Sequence, residues 1–326
     1  MVAAAGEPPI EGAKFEMGSR DFLQRDAETP LSGRYLAAGV PCELSTNFEP
    51  ILEAASESFF PIHGSQSLPA LHLRFWVDAR AQSRPPWPKP YFRGLDHLVF
   101  AGFDSQNSMM IDLRTRRAIG RFSPAMGADT VFWKTISFPV LLSMMGASVG
   151  ITELHCACVV EDENGLLLAG RSGSGKSTLS LALAQAGCAF LSDDRTYLSE
   201  YKGRLSAWGL PTLLKLRPDA KAWFPQMKDL VLPLAWSSEQ AVQIDPSLQL
   251  GLKRARRCQA RWLVFLERLE RPAFQLKVMP RAEAAARLDS IGVNRLQRIS
   301  RNWIHSLSFA PTLTIGYRSL LTPAEL

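Results

Sequence analysis

The apolar run Leu166-Leu167-Leu168-Ala169 stops at Gly-Arg-Ser-Gly-Ser-Gly-Lys-Ser, residues 170–177, and Thr178-Leu-Ser-Leu-Ala-Leu-Ala-Gln-Ala186 follows at once. A short, wholly apolar run reads as a strand buried on both faces. The alanine- and leucine-rich run reads as a helix over Lys176 to Ala186, closed by Gly187. A strand, a glycine loop and a helix in direct succession restrict the fold to an open α/β sheet, with its ligand at the carboxyl end of a strand. The loop itself satisfies G-x-x-x-x-G-K-[ST]. Gly170, Gly173 and Gly175 let the backbone curl, so that N–H groups point inward at phosphate oxygens. Lys176 brings an ammonium to the β and γ phosphates, and Ser177 offers a hydroxyl to Mg2+. The helix start adds the positive end of its dipole. Nucleotide contacts are expected over Gly170, Arg171, Ser172, Gly173, Ser174, Gly175, Lys176, Ser177 and Thr178. A glycine turn without nucleotide, or a loop that binds nucleotide and catalyses nothing, are the alternatives.

Asp193 and Asp194 arrive soon after the loop, with only the helix and one short strand, Cys188-Ala-Phe-Leu-Ser192, between. The pair therefore falls at the carboxyl end of a strand beside the loop. Two carboxylates next to a triphosphate repel it unless a metal or proton intervenes. One can hold Mg2+, and the other can accept the proton of an attacking hydroxyl. A like-charge neighbour raises one of the two pKa values, which suits a base. The alternative for either residue singly is a turn cap before Arg195-Thr-Tyr197. His155, in the run ITELHCACVV, sits on a strand expected to pair back onto the loop strand, with Asn164-Gly165 at the hairpin turn. It reaches the same end of the sheet, or is simply a satisfied core histidine.

The rest of the chain supplies the frame. Of its 326 residues, 46% are hydrophobic, enough for a large core and about two domains. The net charge of +6 fits an anion binder and argues weakly for nucleic acid, which is not expected as a partner. Five scattered cysteines, Cys42, Cys156, Cys158, Cys188 and Cys258, point to a reducing compartment, and Cys156 and Cys158 to packed core thiols rather than a metal site. Ile136 to Ile151 is apolar but short for a bilayer and interrupted by Pro139. It reads as a buried helix, and the amino end lacks a signal-peptide pattern, so a cytoplasmic protein without membrane contact is expected. Three regions follow: a flexible leader over 1–33, an accessory domain over 34–127, and a core domain over 128–326 that opens with a helical segment to about 149. Ser83 to Gly94 holds four prolines and reads as a connector. Asp96–Gly102, Ser108–Thr115 and Ala118–Ser123 read as strands joined by turns, and Ala260–Leu269 as a strong strand. RAEAAARLDSIG and NRLQRISRNWIHSLSF read as helices, and Lys253-Arg-Ala-Arg-Arg257 as a solvated face or an acceptor-docking patch.

The series LHCACVV, GLLLAGRSGSGKSTLSLALAQAG and FLSDD, close over about 155–198, resembles the catalytic domain of the HPr kinase/phosphorylase family. There a histidine-bearing strand precedes G-x-S-G-x-G-K-S, and a double aspartate closes the next strand. The resemblance implies a phosphoenolpyruvate carboxykinase-like P-loop core with a smaller N-terminal α+β domain, ATP and Mg2+ as cofactors, and phosphorylation of a serine hydroxyl. It implies Asp193 as base, Asp194 as its metal-linked neighbour with Ser177, and His155 orienting the base or touching phosphate. It also implies a homo-oligomer. The second glycine-rich signature of the bifunctional enzymes is missing; the corresponding region reads SAWGLPTLLKLRPDAKAW, where Lys215 and Arg217 face phosphate or line an exposed edge. Phosphorolysis and HPr itself are thereby put in doubt. Divergent relatives, including the lasso-peptide kinases, phosphorylate a peptide serine. The expected activity is a kinase acting on a serine of a peptide or small protein. A small-molecule kinase on the same core and a nucleotide-dependent switch are the competing readings.

Overall fold

The computed structural model describes residues 27–62, 68–217, 223–224, 227, 242–268, 275–291 and 312–317. It is a mixed α/β architecture with three sheets. The first is built from β1 (Leu31–Ala37), β2 (Val40–Thr46), β3 (Phe60–Pro61), β4 (Leu71–Val77), β5 (Tyr91–Leu95), β6 (Leu98–Gly102), β7 (Ser108–Asp112) and β8 (Arg117–Phe122), in the order β3-β1-β2-β4-β8-β7-β6-β5. Alternation drives it: Leu71, Leu73, Phe75 and Val77 of β4 are buried, while His72, Arg74 and Trp76 take the other face. The parallel pairs β2–β4 and β4–β8 require crossovers. The first crossover is helix α1 (Glu49–Ser58), which buries Ile51, Ala54 and Ala55. The proline-rich segment is irregular as far as Pro90, and its last residues enter β5 rather than remaining a connector. Buried Trp87 pins it, donating from Nε1 to Asp129 at 2.6 Å.

Helical turns run from Pro124 to Val149: α2 (Pro124–Ala128), α3 (Thr130–Phe132), a π-helical turn over Trp133–Ser137, α4 (Phe138–Met145) and a 3-10 turn over Gly146–Val149. Thr130–Val149 is long and apolar enough to cross a membrane by length and composition, and 56% of its apolar window is buried inside the protein. Trp133, Phe138, Leu141, Leu142 and Met145 join the same hydrophobic cluster as Phe75 and Phe122 of the first sheet. A division at 127/128 thus cuts through one core, because these helices cover the accessory sheet. A leader ending at 33 is likewise too long, because β1 already begins at Leu31 and pairs with β2.

The second sheet holds β9 (Thr152–Leu154), β10 (Cys156–Glu161), β11 (Asn164–Ala169), β12 (Ala189–Ser192), β13 (Thr196–Tyr201) and β14 (Arg204–Trp208). A two-stranded sheet, β15 (Leu214–Leu216) with β16 (Val242–Ile244), lies apart from it. The second sheet is completed by β17 (Arg257–Arg268), β18 (Gln275–Val278) and β19 (Thr312–Tyr317). Its main path is β12-β10-β11-β17-β14-β13-β9, with β11–β17 and β17–β19 parallel. Helix α5 (Lys176–Gln185) follows the loop, and Gly187, at φ +116, ends it. Downstream helices are α6 (Pro246–Leu250) and α7 (Arg281–Ile291), the latter as expected; the expected helix over 294–309 lies outside the described residues.

The β10–β11 hairpin turns at Asp162-Glu163, both with positive φ, rather than at Asn164-Gly165. Gly165 is needed elsewhere: a Cβ there would lie 2.4 Å from Cys258 Sγ and 3.0 Å from Gln259 O, so the missing side chain makes room on β11 for a neighbour's thiol. Cys156, Cys158 and Cys258 are buried core thiols, with Cys158 and Cys258 Sγ atoms 3.9 Å apart.

Across the two units, Tyr197, Trp208 and Leu210 of the second belong to the first unit's cluster. Ser199 Oγ donates to Ala38 O at 2.7 Å, and Trp208 Nε1 donates to Ser199 Oγ. Phe60 meets the Trp208 ring edge-on at 5.5 Å. The arginines of the Lys253–Arg257 run are fastened at the junction, while Lys253 is exposed. Arg254 donates to Leu210 O and Thr212 O, and Arg256 to Ser56 O and Phe59 O while stacking on Phe60. Arg257 lies over Tyr201 and Trp208. The solvated-face expectation holds for Lys253 and Arg257, which are exposed, and fails for Arg254 and Arg256, whose guanidinium groups satisfy carbonyls at the junction.

Candidate active site

The glycine loop has the backbone its composition demands. Gly170, Gly173 and Gly175 have φ of +154, +77 and +95. A Cβ on Gly170 would come 2.5 Å from Ser174 Oγ and 2.9 Å from Leu266 O, the latter a fixed atom of the neighbouring strand. Gly175 caps α5 in the left-handed region, which lets Lys176 and Ser177 start the helix directly at the loop. Lys176 is only 7% exposed, and its Nζ donates to Gly170 O at 3.0 Å and Arg171 O at 3.3 Å. The ammonium is thus held inside the loop, where phosphate oxygens can replace those carbonyls. Burial lowers its pKa, against the opposing pull of Asp194 and Asp193. Arg171 and Ser172 are exposed at the loop tip, Ser174 is buried, and Ser177 and Thr178 are half-buried on the first turn of α5.

The aspartates follow β12 and occupy opposite environments. Asp193 is 3% exposed. Its Oδ2 accepts from the Lys215 N–H at 2.9 Å, and its Oδ1 is buried with no hydrogen-bond partner. Burial pushes its pKa up to about 6, and the Asp194 charge adds to this, while the nearby Ser177 hydroxyl and the Lys215 N–H pull it down. Asp194 has a side chain 41% exposed, with Oδ1 3.0 Å from His155 Nδ1. Partial burial raises its pKa, but contact with His155 and the charges of Lys215 and Arg195 outweigh that and hold it at about 2.

His155 lies at the break between β9 and β10, not within a continuous strand. The break lets β9 pair with β13 and β10 with β11 and β12, and it turns the imidazole to the acidic pair. The expected roles put the metal at Asp194 and the base at Asp193. The Ser177 hydroxyl neighbours Asp193, and the histidine neighbours Asp194. The raised pKa of Asp193 is no argument for a base, since it stems from burial and the group is closed to an acceptor; reach decides before pKa does.

Lys215 and Arg217 of the β15 segment are both exposed on the loop side. Lys215 bears on both aspartates, and Arg217 Nη2 lies 3.5 Å from where a Gly173 Cβ would stand. Three further residues, Arg195, Glu153 and Ser143, carry no motif in the sequence. Arg195 places Nε 3.5 Å from Glu153 Oε1, and Ser143 Oγ donates to Glu153 Oε2. Their signal was positional: Arg195 adjoins the acidic pair and Glu153 precedes His155 by one strand repeat. Among the described residues no cluster of three or more His, Cys, Asp or Glu side chains forms a metal cage.

No family model matches the chain. No curated protein matches it either. Among solved structures it is similar to the Hpr(Ser) kinase/phosphatase from Coxiella burnetii, at 15% sequence identity and a TM-score of 0.27, over 52% of this chain and 86% of that one.

Proposed function

We propose that the chain is a kinase that uses ATP and Mg2+ to phosphorylate a serine hydroxyl of a peptide or small protein. One observation carries the reading: a phosphate loop with its lysine turned inward faces two adjacent carboxylates, one buried beside the loop serine and one half-exposed on a histidine. A protein that only binds nucleotide has little use for the second, accessible carboxylate.

The Mg2+ fits the donors present. The Asp193 Oδ1 is a buried oxygen lacking a partner, and the Ser177 hydroxyl bears on the same carboxylate. Such oxygen donors, with substrate phosphates completing the shell, suit this cation. Ser177 and Asp193 would hold it, and the ion would supply charge neutralisation between the β and γ phosphates. Lys176 and the loop N–H groups bind the phosphate oxygens. His155 holds the Asp194 carboxylate toward the acceptor, and Asp194 takes the hydroxyl proton. The serine oxygen bonds to the γ-phosphorus as its bond to the bridging oxygen breaks, and ADP leaves. A homo-oligomer and a cytoplasmic setting accompany this reading as part of the same proposal.

The test is transfer from γ-labelled ATP in Mg2+ to a peptide pool and a host extract. Label on serine that disappears in Lys176→Ala and Asp194→Asn supports the kinase. Label found only as free phosphate, while nucleotide still binds, overturns it in favour of a switch; label on a small molecule moves it to that acceptor class.

A further inference from the structure

Resting on the kinase reading, we propose that Glu153 is a positioning residue that withholds the Arg195 guanidinium from Asp194, leaving that carboxylate to His155. The β9–β13 ladder sets Glu153 opposite Tyr197 and Leu154 opposite Thr196. Arg195 is two residues before Tyr197, so it shares a face with Tyr197 and Glu153. His155 follows Leu154 just past the end of β9, and Asp194 precedes Arg195 just before β13 begins. A cation tied directly behind a carboxylate is a threat to it. Arginine pairs with carboxylate through a rigid fork, and that pairing is stronger than a single imidazole contact. An Arg195 freed from Glu153, with only the Tyr197 hydroxyl left to hold it, would draw Asp194 away from His155 and from any acceptor.

The anchor is built on the other side. Glu153 Oε1 forms an ion pair with Arg195 at 3.5 Å from Nε, and Glu153 Oε2 accepts from the hydroxyl of Ser143. Ser143 belongs to α4, and its Oγ also lies 2.8 Å from Pro139 O, so the two acceptors share its one proton. The Glu153 side chain is largely shielded from water, where a charge needs its partner, so the pairing is held in place. The buried Tyr197 hydroxyl, 3.4 Å from Pro139 O, also bears on Glu153 and contacts the Arg195 guanidinium, which feels the Asp194 charge as well.

Glu153→Gln keeps the shape and removes the anchor's charge. The expected result is a kcat lowered roughly tenfold or more with the nucleotide KM unchanged, since a tenfold loss is what about 1.4 kcal/mol of misplacement costs. Glu153→Asp keeps the charge and recovers part of the rate. Arg195→Gln alone costs less, and Glu153→Gln/Arg195→Gln turns over faster than Glu153→Gln, because no unheld guanidinium remains. A double variant as slow as Glu153→Gln, or slower, overturns the proposal, since loss of mere scaffolding cannot be repaired by a second loss. Ser143→Ala, a milder change, is expected to give a smaller kcat loss of the same kind, and a KM effect instead would also overturn it. The His155 ring nitrogen resonances read the same contact without turnover: they shift in Glu153→Gln and return in the double variant. Absence of transfer in the unmodified protein would therefore sink the kinase reading alone, while unmoved ring signals would sink the clamp alone.

Discussion

Asp193 and Asp194 are covalent neighbours with opposite pH linkage. For Asp193 the folded pKa, about 6, lies above the unfolded value near 3.8. Between about pH 4 and pH 6 the folded state binds more protons, so stability from this group falls as pH rises through that window. A rise of that size corresponds to about 2–3 kcal/mol. Asp193→Asn should therefore raise the unfolding free energy above pH 6 by up to roughly that amount, and by nothing below about pH 4. Denaturant melts across pH measure it, and a variant less stable than its parent at pH 8 would count against the burial argument. The same variant should lose transfer, because the oxygen beside Ser177 is lost as an anion. Asp194, held at about 2, runs the other way: its contribution is present above the unfolded value and is lost as pH falls through 2. His155→Ala removes its hydrogen bond, and the expected outcome is a kcat at least roughly tenfold lower with nucleotide affinity, read by titration calorimetry, little changed.

At the scale of elements, the loop was legible because its constraints are local. Glycine at φ +77 and +95, a lysine, a serine and a helix start can all be read from consecutive residues. The β10–β11 pair shows where such reading stops. Asn164-Gly165 has turn chemistry, yet the glycine is spent on a close approach to Cys258 on β17, nearly a hundred residues away. Only the ladder reveals that demand. Gly165→Ala tests it: the Cβ meets a sulfur and a carbonyl, and overpacking of that kind costs about 1–3 kcal/mol. Thermal melts should show part of the loss recovered when Cys258→Ala is added, and only part, because Gln259 O remains. His155 was placed at the right end of the sheet from sequence, but the strand break that aims it depends on β9 choosing β13. The Arg195–Glu153 clamp was hidden for the same reason, since it joins residues that approach only once the second sheet has formed.

At the scale of the molecule, the arginines of the Lys253–Arg257 run changed meaning most. In the sequence they are a block of like charge, and in the fold Arg256 reaches the carbonyls that end α1 and the ring of Phe60. Hydrogen bonds from a charged donor are worth about 1.5–3 kcal/mol, so Arg256→Ala should lower stability by about that much while both units still unfold in one transition, followed by calorimetry. Two separated transitions would mean the shared cluster is not what couples them. That cluster also gives the protein an optical gauge of its own integrity. Trp208 belongs to the second sheet but is shut from water by Phe60 and by the close approach of Gly39, both from the first unit. Any partner, ligand or lesion that pries the units apart must wet this indole. Its emission would move to longer wavelength before either sheet lost a single strand, and a Trp208→Phe variant would identify the signal as its own.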